Sequence, residues 1–266
     1  AQRLPTETQR RMNATYPTPS EDDRDEPVAV TLQEVLDTLE SGKIEEQGML
    51  PWSSNYTFLV TVSSGELALP AVYKPRRGER PLWDFPQGTL CLRERAAYLV
   101  SEALGWMIVP PTVLRSGPRG FGSLQFYVDC DQEEHYFTFR ETCLPEAQRI
   151  ALFDIVVNNA DRKAGHMLRG YDGRIWAIDH GIAFHTDPKL RTVIWDFAGQ
   201  PVPDDLLADL ERLQAMLKPG VPLRQELGSL LSNAELNAVE RRLKRLLTDC
   251  VFPDPGPGRH IPWPPV

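Results

Sequence analysis

Apolar positions follow two periods along the chain, and the place where one gives way to the other marks its organisation. In residues 31–41, Leu32, Val35, Leu36 and Leu39 share one helical face, and Thr31 with Glu34 forms a capping box. Alternation takes over in Tyr56–Val62 and Glu66–Tyr73, two strands joined by the Ser63-Ser64-Gly65 turn. Thr89 opens a long helix that runs to Leu104 and stops at Gly105. Strands are expected near Thr112–Arg115, Leu124–Val128 and Tyr136–Arg140. Glu146–Asn158 is helical, Met167–Arg169 and Arg174–Ile178 make a short hairpin, and helices follow to the end of the patterned region. Ser232 and Glu235 form a second capping box ahead of Leu236–Leu247. A β-rich first half with one prominent helix, then an α-rich second half, is an α+β layout. Two lobes with a cleft between them are the expected arrangement.

The ends read differently. Residues 1–27 hold few apolar side chains and an acidic stretch (Glu21, Asp22, Asp23, Asp25, Glu26), the composition of a disordered lead. Residues 253–266 alternate Pro with Gly and are expected to be extended, with Trp263 able to pin them to the body. The boundaries drawn are 28–128 for a first, nucleotide-binding lobe and 129–252 for a second. With both ends set aside the second lobe must be reduced, and little room is left for a separate substrate domain.

Composition narrows the partners. The 266 residues are 41% hydrophobic and 25% charged, a soluble globular balance. Lys and Arg number 29 against 37 Asp and Glu, a net charge of −8, which argues against coating nucleic acid. No apolar run reaches the ~18–20 residues of a membrane span. Cys91, Cys130, Cys143 and Cys250 make no CxxC pair and read as reduced, structural thiols. The first residues lack the hydrophobic stretch of a signal peptide, so the cytoplasm is the expected compartment.

Chemistry concentrates in Asn158–Phe184, NNADRKAGHMLRGYDGRIWAIDHGIAF. The Asp172-Gly173 pair suits a tight turn, and a hairpin folds its ends together. Asp161 and His166 on one side are thereby brought near Asp179 on the other. Two carboxylates and an imidazole at a hairpin mouth can hold a divalent cation and accept a proton. Phosphoryl transfer needs those parts: one Asp to orient the attacking hydroxyl and a second carboxylate on the metal. The competing reading makes Asp161 and Asp172 turn residues and Asp179 a strand cap. A further one makes His166, Asp179 and His185 ligands of a mononuclear metallohydrolase, although no HExxH-type spacing is present.

Asp161-Arg162, the residue five positions after Asp161, and Ala177-Ile178-Asp179-His180-Gly181 resemble the catalytic and metal loops of phosphatidylinositol 3- and 4-kinases. The segment is most similar to type II phosphatidylinositol 4-kinases and more distantly to HipA-like kinases. It also resembles a mainly actinobacterial family described as distantly like these lipid kinases. The resemblance spans roughly Gly48–Phe197 and implies a two-lobed, atypical, lipid-kinase-like fold of the protein-kinase kind, with a β-rich first lobe and a reduced α-rich second lobe. Lys74, at a strand end, would contact the nucleotide phosphates and Glu94, on the following helix, would position it. Ser53, Ser54 and Asn55 would lie in the phosphate loop, and the adenine hinge would fall near Phe126–Asp131. Asp161 would be the base, and His166 with Asp179 would hold Mg2+ or Mn2+ beside ATP. Lys189 and Arg191 would meet substrate charge or be solvated, and Arg76, Arg77 and Arg80 would supply a local positive field near Lys74.

His166 departs from the pattern, because these kinases carry a metal-binding Asn there. Imidazole suits Mn2+ or Zn2+ better than Mg2+, which prefers oxygen. The expected function is transfer of a phosphoryl group from ATP to a hydroxyl on an acceptor that the sequence leaves open. The alternative is a pseudokinase that binds nucleotide without turnover.

Overall fold

The computed structural model describes residues 15–16, 30–50 and 55–266. Ser53 and Ser54, with the rest of 51–54, lie outside the described residues, as does most of the expected disordered lead. From that lead, β1 (Thr15–Tyr16) pairs antiparallel with β2 (Val30–Thr31), which lies beyond it. Two compact units result, Ala1–Pro81 with Pro110–Asp129, and Leu82–Val109 with Cys130–Val266. The long helix near residue 100 therefore groups with the second unit, although the sequence boundary at 128 placed it in the first.

The first unit is a helix on a sheet. Helix α1 (Leu32–Ser41) begins at the Thr31–Glu34 capping box and buries Val35 and Leu39. Strands β3 (Lys43–Met49), β4 (Phe58–Ser64) and β5 (Leu67–Pro75) precede β6 (Thr112–Gly117) and β7 (Gly120–Phe126). Together they make a five-stranded sheet in the order β3-β4-β5-β7-β6, each adjacent pair antiparallel. Period-two alternation buries Phe58, Val60 and Val62 on β4 and Leu69, Ala71 and Tyr73 on β5, against α1. The same alternation puts Lys74 on the opposite face, half-buried, in register with Ser123. Gly122 is required beside it: a Cβ there would sit 2.3 Å from the Lys74 carbonyl oxygen. The strand expected at Leu124–Val128 lies earlier, at Gly120–Phe126, because its first residues, Gly120 and Phe121, extend the pairing with β6.

The second unit is mostly helical. Its elements are α2 (Leu90–Leu104), α3 (Tyr136–Phe139), α4 (Leu144–Val157), the β8–β9 hairpin (Met167–Arg169 and Ile175–Ala177), α5 (Asp204–Met216), α6 (Pro222–Leu230) and α7 (Asn233–Asp249). α2 ends on Gly105 in the left-handed region (φ 76°), the conformation a glycine cap supplies without strain. Thr89 makes no cap; its hydroxyl turns back to the Pro86 carbonyl. Tyr136–Arg140 is a helical turn rather than a strand. Tyr136 and Phe139 are the buried pair, an i, i+3 spacing, while the His135 N–H donates to the Thr138 hydroxyl at 3.0 Å. Ser232 and Glu235 cap α7 reciprocally as expected. Among the described residues no helix is long and apolar enough to cross a membrane. Cys91, Cys130 and Cys143 are buried and Cys250 is exposed, all four as free thiols.

Segment 253–266 is tied down, but not by Trp263, which is 78% exposed. Pro262 is the buried residue, and the carbonyls of His260 and Pro265 accept hydrogen bonds from the body of the unit.

Candidate functional site

The site residues of the second unit are held by one largely apolar helix with a single buried acid. α4 is buried over most of its length, and Asp154 sits within its run Ala151-Leu152-Phe153-Asp154-Ile155-Val156 with no exposure. A carboxylate in such a place needs a cation. Arg162 supplies it, through bonds of 2.9 Å from Nε and 3.0 Å from Nη2. The remaining donors of the buried guanidinium go to the carbonyls of His166 (3.1 Å) and Ile178 (2.8 Å) and to His180 Nε2 (2.6 Å). Asn159 adds a bond to the same Asp154 carboxylate (2.9 Å), and its own Oδ1 accepts the Asp161 N–H (3.0 Å). One buried ion pair thus fixes both the Asp161 loop and the strand that leads into Asp179.

The hairpin performs the convergence. Its turn closes through Gly173 (φ 79°), and β8 pairs with β9 from Met167↔Ala177 to Arg169↔Ile175. The pairing continues outward, Ile178 N–H to the His166 carbonyl at 3.0 Å. His166 Nε2 therefore lies 3.4 Å from Asp179 Oδ2. Asp179 takes a left-handed backbone (φ 61°), uncommon outside glycine and tolerated by Asp, and its side chain is 45% exposed. Burial pushes the Asp161 carboxyl above its ordinary range; Lys163, paired to it at 3.3 Å, opposes this, and the nearby Asp179 charge adds to it. Asp161, His166 and Asp179 are thus brought together.

Helix α2 clamps the segment that follows. Glu94, buried on α2, accepts the His180 N–H through Oε2 at 3.1 Å. Gly181 faces it, where a Cβ would stand 3.6 Å from Glu94 Oε1. Next along α2, Arg93 donates to the Ala183 carbonyl (2.7 Å) and pairs with Glu235 (2.5 Å).

Other expected residues are placed elsewhere or committed. Asn55 uses its side-chain oxygen to accept the Arg80 N–H at 2.8 Å. A cavity of about 720 Å³ opens on the first unit, lined by Tyr56, Phe58, Pro75, Arg77 and Arg119. Lys74 is not among its lining residues. Lys189 is paired with Asp84 at 2.7 Å and lies over the Trp83 ring, so its charge is already met. His185 Nε2 is 3.0 Å from the Asp84 carbonyl, its ring is edge-on to Phe85, and its Nδ1 accepts the Asp187 N–H. Among the described residues no group of three or more His, Cys, Asp or Glu is arranged to hold a metal ion. The His166–Asp179–His185 hydrolase site therefore does not assemble. His166 and Asp179 alone remain, a nitrogen and a partly exposed carboxylate 3.4 Å apart, and that donor set fits a divalent cation that draws its other ligands from a phosphate or water.

Asp154 and Asn159 do not stand out by motif. The signal for Asp154 was a lone acid inside an apolar helical run. His180 is fully buried against Arg162.

Sequence comparison places the chain in a family. Protein Rv2133c of Mycobacterium tuberculosis is 40% identical over 261 residues, which span 85% of this chain and 93% of that protein. The chain belongs to the same family as Rv2133c. Phosphatidylinositol 4-kinase gamma 4 of Oryza sativa subsp. japonica is 29% identical over 213 residues, 64% of this chain but 38% of that protein. No family model matches the chain. Among solved structures, hydra Fam20 with sugar superposes with a TM-score of 0.51 at 15% identity, covering 90% of this chain and 93% of that one. At that identity the likeness is one of fold: an antiparallel sheet with helices, as in the Rv2133c-family chain.

Proposed function

We propose that this Rv2133c-family protein is a kinase that transfers the γ-phosphoryl group of ATP to a hydroxyl. The observation that carries the reading is the His166–Asp179 pair, 3.4 Å apart, with the Asp161 carboxyl near enough to feel the Asp179 charge. The sequence likeness to a phosphatidylinositol 4-kinase supports it. Asp161 serves as base: burial raises its proton affinity, so it takes the hydroxyl proton as the oxygen bonds to phosphorus and the β–γ bridging P–O bond breaks, releasing ADP. His166 and Asp179 hold Mg2+ or Mn2+, which when bound would neutralise phosphate charge. Glu94 holds the backbone after Asp179 in place. On the kinase resemblance, Lys74, Ser53, Ser54 and Asn55 are the residues assigned to nucleotide phosphate.

A second reading is favoured by the Asp161–Lys163 pair at 3.3 Å, which already neutralises the candidate base. With His166 in the usual Asn position, a protein that binds nucleotide without turning it over would look the same. The discriminating experiment incubates the protein with radiolabelled ATP and Mg2+ or Mn2+. Turnover abolished by Asp161→Asn supports the kinase. Thermal stabilisation by ATP that survives Asp161→Asn, with no turnover under either metal, supports the binding module.

A further inference from the structure

Beside the Asp161 loop runs a small edge built from backbone. Residues 159–162 and 191–193 lie parallel, with Arg191 N–H on the Asn159 carbonyl (2.9 Å), Arg162 N–H on Arg191 (2.9 Å) and Val193 N–H on Arg162 (3.1 Å). Successive N–H groups of an extended strand point to opposite sides. Those of 191 and 193 face the loop, so the Thr192 N–H faces outward, as the donor of a sheet edge does.

Segment 260–265 covers that edge. The Thr192 N–H and the Trp195 Nε1–H both donate to the His260 carbonyl, at 3.0 and 3.1 Å, and the two rings meet edge-on. Five residues on, the Pro265 carbonyl accepts the Ala164 N–H at 2.8 Å. Ala164 lies between Asp161 and His166. Each of these hydrogen bonds reads the segment's main chain, and its buried side chain is Pro262. Upstream, Phe252 is fixed by bonds to Gly199 and Gln200 (both 2.9 Å), and residues 254–259 between are all exposed. The segment is thus a short ligand on a Pro-Gly tether, which raises its effective concentration to the millimolar range and lets weak contacts saturate the edge. Residues 251–266 contain no Ser, Thr or Tyr.

We propose that this edge is the acceptor-docking surface, that it takes a bent, proline-containing polypeptide, and that residues 258–266 are its tethered, hydroxyl-free competitor. The inference rests on the kinase reading and names its substrate class: a Ser, Thr or Tyr hydroxyl, on a peptide whose main-chain carbonyls accept from the edge and from the Asp161 loop as those of His260 and Pro265 do. The hydroxyl oxygen bonds to the γ-phosphorus, ADP leaves, and the proton goes to Asp161.

The test starts from the full chain. A protease site placed within the exposed linker 254–259 lets the protein fold before the segment is cut free. The probes are a fluorescein-labelled peptide of residues 258–266 and the same peptide with Trp263→Ser. After cutting, the labelled peptide should bind with a micromolar Kd, at least tenfold tighter than to the uncut chain. The Ser peptide should take label from γ-labelled ATP at least tenfold faster than with uncut protein. In the uncut chain, hydrogen exchange at Ala164 and Thr192 should be at least tenfold faster than at Arg162 and Val193, reporting a segment that opens while the loop stays paired. Equal protection at all four amides, or failure of the labelled peptide to exchange in, would make the segment an integral part of the unit and overturn the proposal. A non-hydrolysable ATP analogue separates the two claims. Nucleotide binding without peptide binding sinks the docking edge alone. Peptide binding without nucleotide binding sinks the acceptor role, along with the kinase reading.

Discussion

Arg162 Nη2 and His180 Nε2 stand 2.6 Å apart in a fully buried contact, and the donor can only be the guanidinium. His180 Nε2 is therefore the acceptor, and the neutral ring carries its proton on Nδ1. The residue beside Asp179 is thus tied to the residue beside Asp161 through side chains that face inward, while the two carboxylates face the site. Arg162 is in turn oriented by Asp154, so the geometry of the site depends on an acid that faces away from it.

Replacing that acid is the sharpest structural test. Asp154→Asn is nearly isosteric but leaves the Arg162 charge buried without its counter-ion. Removing one partner of a buried pair typically costs about 3–5 kcal/mol. For a chain of this size 1 kcal/mol moves Tm by roughly 2–4 °C. A fall in Tm of around 10 °C is expected, read by differential scanning calorimetry; a shift under 2 °C would mean that Arg162 does not need Asp154.

Asp161 should behave in the opposite way. Its folded-state proton affinity is raised, so its charged form is the unfavourable one in the native protein and reduces stability as pH rises through the raised pKa. In metal-free buffer, Asp161→Asn should raise Tm at pH 7, with the difference shrinking as pH falls toward the ordinary carboxylate range near ~4. The same substitution should lower transfer by about 10²–10⁴-fold, the usual worth of a general base. A variant less stable than the parent at pH 7 would show that the Lys163 pair, not burial, decides the balance.

How much of this was legible in the sequence follows from what each element depends on. Both capping boxes, the glycine stop at Gly105 and the Asp172-Gly173 hairpin are local, and local chemistry fixed them. Tyr136–Arg140 was misread because four residues of Tyr, Phe and Thr satisfy a period of two as well as an i, i+3 pair; packing of Tyr136 and Phe139 decided it. Convergence of Asp161, His166 and Asp179 could be inferred because a hairpin links them. Asp154 as the partner of Arg162, eight residues on, and the seat of segment 260–265 could not, since each depends on which buried surfaces meet.

Glu235 offers a test of the clamp on the Asp179 segment. Burial raises its pKa, but the Arg93 charge and the Ser232 bonds outweigh this, and the carboxyl is held below its ordinary value. Its stabilisation is present above the unfolded-state pKa of ~4.3 and is lost as pH falls through the lowered folded value. Glu235→Gln should lose about 3 kcal/mol in urea unfolding at pH 7, and much less at pH 3. Because Arg93 also holds the Ala183 carbonyl, turnover should drop with it. Unchanged urea midpoints at pH 7 would dismiss the clamp.

On the kinase reading, His166 decides the metal. An imidazole beside one carboxylate favours Mn2+ over Mg2+, since nitrogen is a poor ligand for an ion that binds hard oxygens in near-ideal octahedra. His166→Asn exchanges the imidazole for an amide oxygen while keeping a polar side chain at the hairpin mouth. The parent should therefore be stabilised by an ATP analogue more strongly with Mn2+ than with Mg2+, and the variant should narrow or reverse that ratio. Thermal shift with each metal, at matched analogue concentration, reads the ratio without requiring turnover. If the parent already prefers Mg2+, or if the variant leaves the ratio unmoved, His166 is not a ligand and the cation is held by Asp179 with nucleotide phosphate alone. The fold should survive the exchange, because His166 joins the Arg162 network through its backbone carbonyl, which Asn also carries.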